Sequence, residues 1–352
     1  MSIHVAHLSK SYGTGFTLQD VSFRLDTGDI LSIIGPSGSG KTTLLNIISG
    51  LLDPDSGTVC INGRDMTTIP TEHRRLGIVL QGAALYPNMN VFKNIAFPLE
   101  MLRIPRREIP GRVQQIAELL RIGHLLRRKP GQLSGGEQQR VGIARAFVKD
   151  PDIMLFDEPF SNLDLRLALE LREELKRLLK QRRTTAIFVT HSQDDAISIS
   201  DRIAVMHQGR ILQYGTPRDI YDHPACTFVA NFVGKYPINR YAGHIHGDTF
   251  LSSGSLRLRL PEENAEGFQI LMFRPEHASI VPQGTPDSVQ AIISDLYTDG
   301  KEYIVTAHAG SDPIRLYAPV EQPLSEGQQV SICISTSHIL LFDSEGPSLD
   351  QT

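Results

Sequence analysis

The chain has 352 residues, with 35 Lys plus Arg against 39 Asp plus Glu and a formal net charge of -4. That length suits two domains with room for a sizeable core, and the charge balance argues against the basic footprint of a nucleic-acid-binding protein. The three cysteines, Cys60, Cys226 and Cys333, are scattered and form no CxxC, which argues against a disulfide framework or a cysteine zinc site and fits a reducing compartment.

The opening Met1-Ser2-Ile3-His4-Val5 has no basic region followed by an apolar stretch, so no signal peptide is expected. Apolar runs such as Ile30-Leu31-Ser32-Ile33-Ile34 fall far short of a spanning helix. If the protein acts at a membrane, another polypeptide must carry it there.

Along the first two-thirds, strand-like and helix-like segments alternate. Continuous apolar runs predict buried strands over 30–34, 153–156, 185–190 and 202–206, as in a sheet covered on both faces. Helical spacing predicts helices over 41–49, 112–120, 136–149 and 165–181, the last with Leu165, Leu169, Leu175, Leu178 and Leu179 opposite its charges. The alternation argues for a parallel α/β sheet. After about Gly234 the texture changes to short alternating segments punctuated by turns such as Asp299-Gly300 and Ser325-Glu326-Gly327. These predict a small antiparallel β domain over 236–352, set against an α/β domain over 1–235. The tail from 344 to 352 reads as loosely held.

Gly35-Pro36-Ser37-Gly38-Ser39-Gly40-Lys41-Thr42 is a complete P-loop, followed by Thr43, directly after an apolar strand and before a helix. Its glycines let successive backbone N–H groups turn inward around phosphates at the positive end of a helix. Lys41 can reach the β- and γ-phosphates of ATP, and the Thr42 hydroxyl can ligate Mg²⁺. Ile153-Met154-Leu155-Phe156-Asp157-Glu158 is the matching strand with an acidic end: Asp157 is delivered beside the metal, and Glu158 stands where a carboxylate can polarise an attacking water. An apolar strand ending in two acids is common by itself and gains its meaning from the P-loop.

Leu133-Ser134-Gly135-Gly136-Glu137-Gln138-Gln139-Arg140 sets Ser134 and two glycines before a second helix. With this string the sequence resembles the ATP-binding-cassette ATPases. The resemblance covers nearly the whole chain and implies a P-loop NTPase domain with a helical subdomain at about 86–150. It implies that Ser134, Gly135 and Gly136 bind the γ-phosphate of ATP held by a partner subunit's P-loop. It further implies that Tyr12 stacks on adenine, Gln81 contacts Mg²⁺ and the water, Asp164 ends the loop across the dimer interface, and His191 contacts the γ-phosphate. Alone, Tyr12 reads as packing and His191 as a structural strand end. Leu80 and Gly82 around Gln81 depart from the residues common in importers.

Phe273-Arg274-Pro275-Glu276 matches a marker in the C-terminal regulatory domain of importers, a domain of oligonucleotide/oligosaccharide-binding type; the Arg–Glu pair is read as a structural clasp. Ala84-Leu85-Tyr86-Pro87, Ser161-Asn162-Leu163-Asp164 and 231–239 lean towards the carbohydrate branch, although Lys235-Tyr236 departs from it. The resemblance implies an ATPase that closes head to tail with itself or a close homologue and drives two transmembrane permease subunits. An extracytoplasmic solute-binding protein would take part indirectly. Such a subunit sits peripherally on the cytoplasmic face of the membrane and needs no nucleic acid. The stretch 83–103 would receive a helix of the permease, or Leu85, Phe92, Ile95 and Phe97 pack the subdomain. His244 and His246 share a strand face, but no third metal ligand is suggested.

Overall fold

The computed structural model describes residues 3–13, 16–161, 163–260, 267–344 and 346. Asn162 and most of the C-terminal tail lie outside the described residues. The chain packs as two compact units, 1–217 and 218–351.

In the first unit a six-stranded sheet runs in the order Arg210–Gly215, Arg202–His207, Ile30–Ile34, Thr185–Thr190, Ile153–Asp157, Leu76–Val79. The five strands from Arg202–His207 onward are parallel, and Arg210–Gly215 pairs antiparallel on one edge. Ile30–Ile34 and Thr185–Thr190 are buried at every residue, as a sheet covered on both faces demands. One face packs a core that includes Leu31, Ile33, Leu44, Leu155 and Val189; the other packs Met154, Phe156, Phe188 and the helices that follow.

A second sheet of four strands, Phe16–Leu25, Ile3–Tyr12, Ser56–Ile61 and Arg64–Asp65, is antiparallel and was not legible in the periodicity. Register shifts interrupt its alternation, and His7 and Asp20 carry positive φ of 51° and 50°.

The helices Val91–Met101, Ile109–Leu119 and Gly135–Phe147 bury Val91, Ile95, Val113, Ile116, Val141 and Phe147 in one cluster. Ile95 is core, Leu85 and Phe92 pack partly buried against it, and Tyr86 remains exposed against the Phe97 ring, 5.0 Å away. In Leu165–Arg182 the buried stripe is Ala168, Leu171, Arg172, Leu175, Leu178 and Leu179. Leu165 and Leu169 are a correction: they lie round the helix from that stripe and are exposed.

The second unit holds two five-stranded sheets, in which all pairings are antiparallel. Both contribute to one core through Phe250, Leu271, Phe273, Val305, Leu316 and Ile332. Arg274 is buried here: its guanidinium donates to the carbonyls of Val233 and Tyr221 and lies 3.7 Å from the Tyr221 ring. Tyr221 in turn donates to Glu276. This clasp ties the helix Thr227–Phe232 and the end of Pro217–Asp222 to the β strands. The division of the chain therefore falls at 217/218, before the change of sequence texture near Gly234. No helix among the described residues is long and apolar enough to cross a membrane.

Candidate active site

The carboxyl ends of three parallel strands meet here, where α/β sheets present their ligand crevice. Ile30–Ile34 runs into Gly35, Ile153–Asp157 ends on Asp157 with Glu158 next in the chain, and Thr185–Thr190 ends beside His191. Gly35 must be glycine, because a Cβ would land on the Met206 carbonyl oxygen. Gly38 and Gly40 have φ of 76° and 104°, a region that favours glycine. Gly40 then opens the helix Lys41–Ser49 with no side-chain cap, which leaves the first N–H groups facing the crevice.

A cavity of about 540 Å³ occupies this end of the sheet. From the P-loop it is lined by Ser37, Gly38, Gly40, Lys41, Thr42 and Thr43. From the other strands it is lined by Gln81, Asp157, Glu158, Val189 and His191. Gly35, Pro36 and Ser39 shape the loop from behind. Lys41 Nζ donates to the carbonyls of Gly35 and Pro36, at 2.9 and 2.8 Å, so the ammonium is caged by its own loop. Burial pushes its pKa down, opposed by the charges of Glu158 and Asp157. Asp157 is pushed up by burial and then by Glu158, with Lys41 opposing.

Glu158 sits at φ 48° just past the strand end, its N–H donating to Val189 O at 2.9 Å. Its Oε1 accepts from the His191 backbone N–H at 3.1 Å and lies 2.8 Å from His191 Nδ1. Gln81 stands two residues past Leu76–Val79, and its Nε2 reaches Ser161 Oγ at 3.4 Å. Ser161 Oγ donates to Glu158 O at 3.0 Å, so the two acidic and amide loops are joined.

Ser134 caps Gly135–Phe147 in a capping box: its Oγ accepts from Glu137 N at 3.3 Å and its N–H donates to Glu137 Oε2 at 2.8 Å. The Ser134 backbone bond holds the Glu137 carboxyl below its ordinary range. Ser134 and Gly135 are exposed, whereas Gly136 is buried where a Cβ would meet the Leu167 side chain. Among the described residues, neither Ser134, Gly136, Asp164 nor Tyr12 lines the P-loop cavity. Gly135 lines a smaller one of about 150 Å³ beside Gly82 and Glu158. Asp164 caps Leu165–Arg182 by accepting from Leu167 N at 3.0 Å. Tyr12 ends the first strand, 47% exposed.

A family model described as "ABC transporter" matches residues 18–161. The molybdate/tungstate import ATP-binding protein WtpC of Pyrococcus horikoshii is 40% identical, across 97% of this chain and 99% of its own length. The trehalose/maltose import ATP-binding protein MalK of Thermococcus litoralis is 37% identical, across 97% of each. The dimeric post-hydrolysis structure of the ATP-binding cassette MJ0796, bound to ADP and Pi, superposes with a TM-score of 0.56 at 32% identity. That match covers 61% of this chain and 99% of the other.

Proposed function

The chain belongs to the ABC transporter ATP-binding proteins, and from that membership we propose that it is the ATP-hydrolysing subunit of an importer, peripheral on the cytoplasmic face of a membrane and coupled to two separate permease subunits. The observation that carries this reading is one cavity walled by Lys41, Thr42, Gln81, Asp157, Glu158 and His191. A phosphate-binding loop, two carboxylates, an amide and an imidazole converge there from four separate segments.

ATP is the substrate. Its phosphates enter the loop of inward N–H groups, where Lys41 exchanges the Gly35 and Pro36 carbonyls for β- and γ-phosphate oxygens. Glu158 takes a proton as water attacks the γ-phosphorus; the bond to the bridging oxygen breaks, giving ADP and phosphate. Gln81 orients the water, and His191 orients Glu158 and meets the γ-phosphate. The donor set fits Mg²⁺, since Thr42, Gln81 and Asp157 offer hard oxygens and adjacent carboxylates leave negative charge to neutralise. When bound, the cation neutralises charge on the phosphate oxygens.

Ser134, Gly135 and Gly136 stand outside the P-loop cavity, or at a different one, which supports a composite site: the signature helix of one copy closes on the P-loop of a second copy or close homologue. Asp164 belongs to the loop between the two copies, and Tyr12, exposed at the strand end, supports adenine stacking. The 236–352 region, within the strand-rich second unit, is regulatory in this reading. As solute we propose a carbohydrate delivered by an extracytoplasmic binding protein, on the strings around Tyr86 and 231–239. The named relatives divide between trehalose/maltose and molybdate/tungstate.

The test is co-purification from membranes followed by vesicle reconstitution with a panel of loaded binding proteins. ATPase stimulation by a sugar-loaded protein is expected. Stimulation by an oxyanion-loaded protein alone would remove the carbohydrate assignment, and failure to recover spanning subunits would remove the importer.

A further inference from the structure

Three consecutive residues after Gln81 have left-handed backbones: Gly82, Ala83 and Ala84, with φ of 81°, 57° and 41°. Glycine reaches this region freely, but alanine does so only at a cost, so two alanines in succession need support from outside. That support comes from the helix that begins with the signature glycines. Arg145, in its last turn, donates from one guanidinium nitrogen to Ala84 O and from the other to Ala83 O, both at 2.9 Å. The guanidinium also lies 5.4 Å from the centre of the Tyr86 ring. One turn earlier, Gly142 lets the helix approach closely, since a Cβ there would come within 3.2 Å of the Ala83 Cβ. Among the described residues, the Gln81 side chain has weak support, one bond of 3.4 Å to Ser161.

We propose that Arg145 is a positioning residue for hydrolysis: it latches the strained Ala83–Ala84 turn to the signature helix and so fixes where the Gln81 amide stands in the ATP cavity. One planar guanidinium donating to two successive carbonyls defines the direction of both peptide groups, which a single ammonium does not. Without the latch the alanines relax towards negative φ and carry Gln81 with them. Movement of the signature helix is thereby transmitted to the water-orienting amide of the same chain. The inference rests on the role given to Gln81 above.

The test measures steady-state ATPase on the full-length chain, with ATP affinity and melting temperature alongside. Arg145→Met, which keeps much of the buried volume, should lower kcat about ten- to a hundredfold, the cost of a small misplacement of a reacting group, with KM for ATP within about twofold. Adding Ala84→Gly at the exposed second alanine should restore several-fold of that loss, because glycine holds the left-handed turn without a latch. Arg145→Lys should fall between; it carries the test, with its own Ala84→Gly partner, where the Met variant melts below the assay temperature. Unchanged kcat in the Arg145 variants, or no recovery with glycine, overturns the latch. Gln81→Ala is the parallel arm. If it retains turnover, the assignment of Gln81 falls and the latch with it; if it loses turnover while Arg145→Met does not, only the latch falls.

Discussion

Glu158 and His191 are joined twice, since Glu158 Oε1 accepts the His191 backbone N–H at 3.1 Å and lies 2.8 Å from Nδ1 of the same residue. The carboxylate is therefore aimed by a strand end as well as by a ring. With the proton on Nδ1, the imidazole donates to the carboxylate, and the opposite nitrogen is turned elsewhere. Glu158→Gln keeps the shape and an acceptor oxygen but removes the base. ATP hydrolysis should fall on the order of 10²–10⁴-fold with ATP still bound. Single-turnover assays with fluorescence titration decide it, and near-normal turnover would reject Glu158 as the base.

The backbone bond between these residues makes His191→Ala milder. It removes the ring but keeps the N–H that aims Oε1, so hydrolysis should fall by less than in Glu158→Gln. If both variants lose activity equally, the ring's contact with the γ-phosphate matters as much as the base itself, and the backbone N–H is not what keeps His191→Ala active. Rates of the two single variants and the double variant separate these cases, because groups acting as one unit are non-additive.

Asp157 links the site to stability. Burial, reinforced by Glu158, raises its carboxyl above the ordinary range. The folded pKa then exceeds the unfolded one, so the group penalises folding fully above the folded pKa, and the penalty disappears as pH falls below the unfolded value. Asp157→Asn should therefore melt higher than the parent at neutral pH, with the gap closing as pH falls into the acid range. Hydrolysis should meanwhile drop about 10²–10³-fold with the lost charge stabilisation. Melting curves from neutral pH into the acid range check the sign. An Asn variant that melts lower at neutral pH would mean the carboxylate is net stabilising.

The composite site can be tested by mixing two defects. Ser134→Arg fills the exposed helix start while leaving the same chain's P-loop intact, and Lys41→Ala does the reverse. In a mixed dimer both lesions fall in one site and the other is whole. Mixing should recover hydrolysis that neither homodimer shows. If none returns, either the sites are not shared or both must act together, and mixing Glu158→Gln with parent chain distinguishes the two.

Much of this site was legible before the structure because it is local. The P-loop is contiguous, and its strand Ile30–Ile34 and helix Lys41–Ser49 begin and end where their apolar run and glycines place them. Thr185–Thr190 is equally plain, being apolar or β-branched throughout. What escaped depends on distant partners. The antiparallel sheet begun by Ile3–Tyr12 is broken by register shifts that erase its period of two. Gly136 reads as part of a phosphate site, and a Cβ there would also crowd the side chain of Leu167, thirty-one positions away. The hold of Arg145 on Ala83 and Ala84 has no sequence pattern at all. Leu165 and Leu169 matched a helical stripe too generously, because at about 100° per residue they lie well round the helix from Leu175 and Leu178 and are exposed.

The division of the chain gives the last prediction. The change in texture near Gly234 suggests truncation after residue 235, whereas the chain divides into its compact units at 217/218. In the second unit Phe228, Val229, Ala230 and Val233 are buried, and Arg274 accounts for the carbonyls of Tyr221 and Val233. A fragment ending at 235 would keep those apolar residues and lose Ile238, Ile270 and Met272, which pack with Ala230. A fragment ending at 217 would retain the P-loop, both acids, Gln81, His191 and the signature helix without that liability. Both fragments should bind ATP, with 1–217 the more monodisperse and 1–235 prone to self-association. Nucleotide titration and light scattering on the two fragments measure this. Loss of ATP binding in a folded 1–217 fragment would show that residues beyond 217 belong to the catalytic domain. A monodisperse 1–235 fragment would show that the 218–235 helices find cover without the β strands.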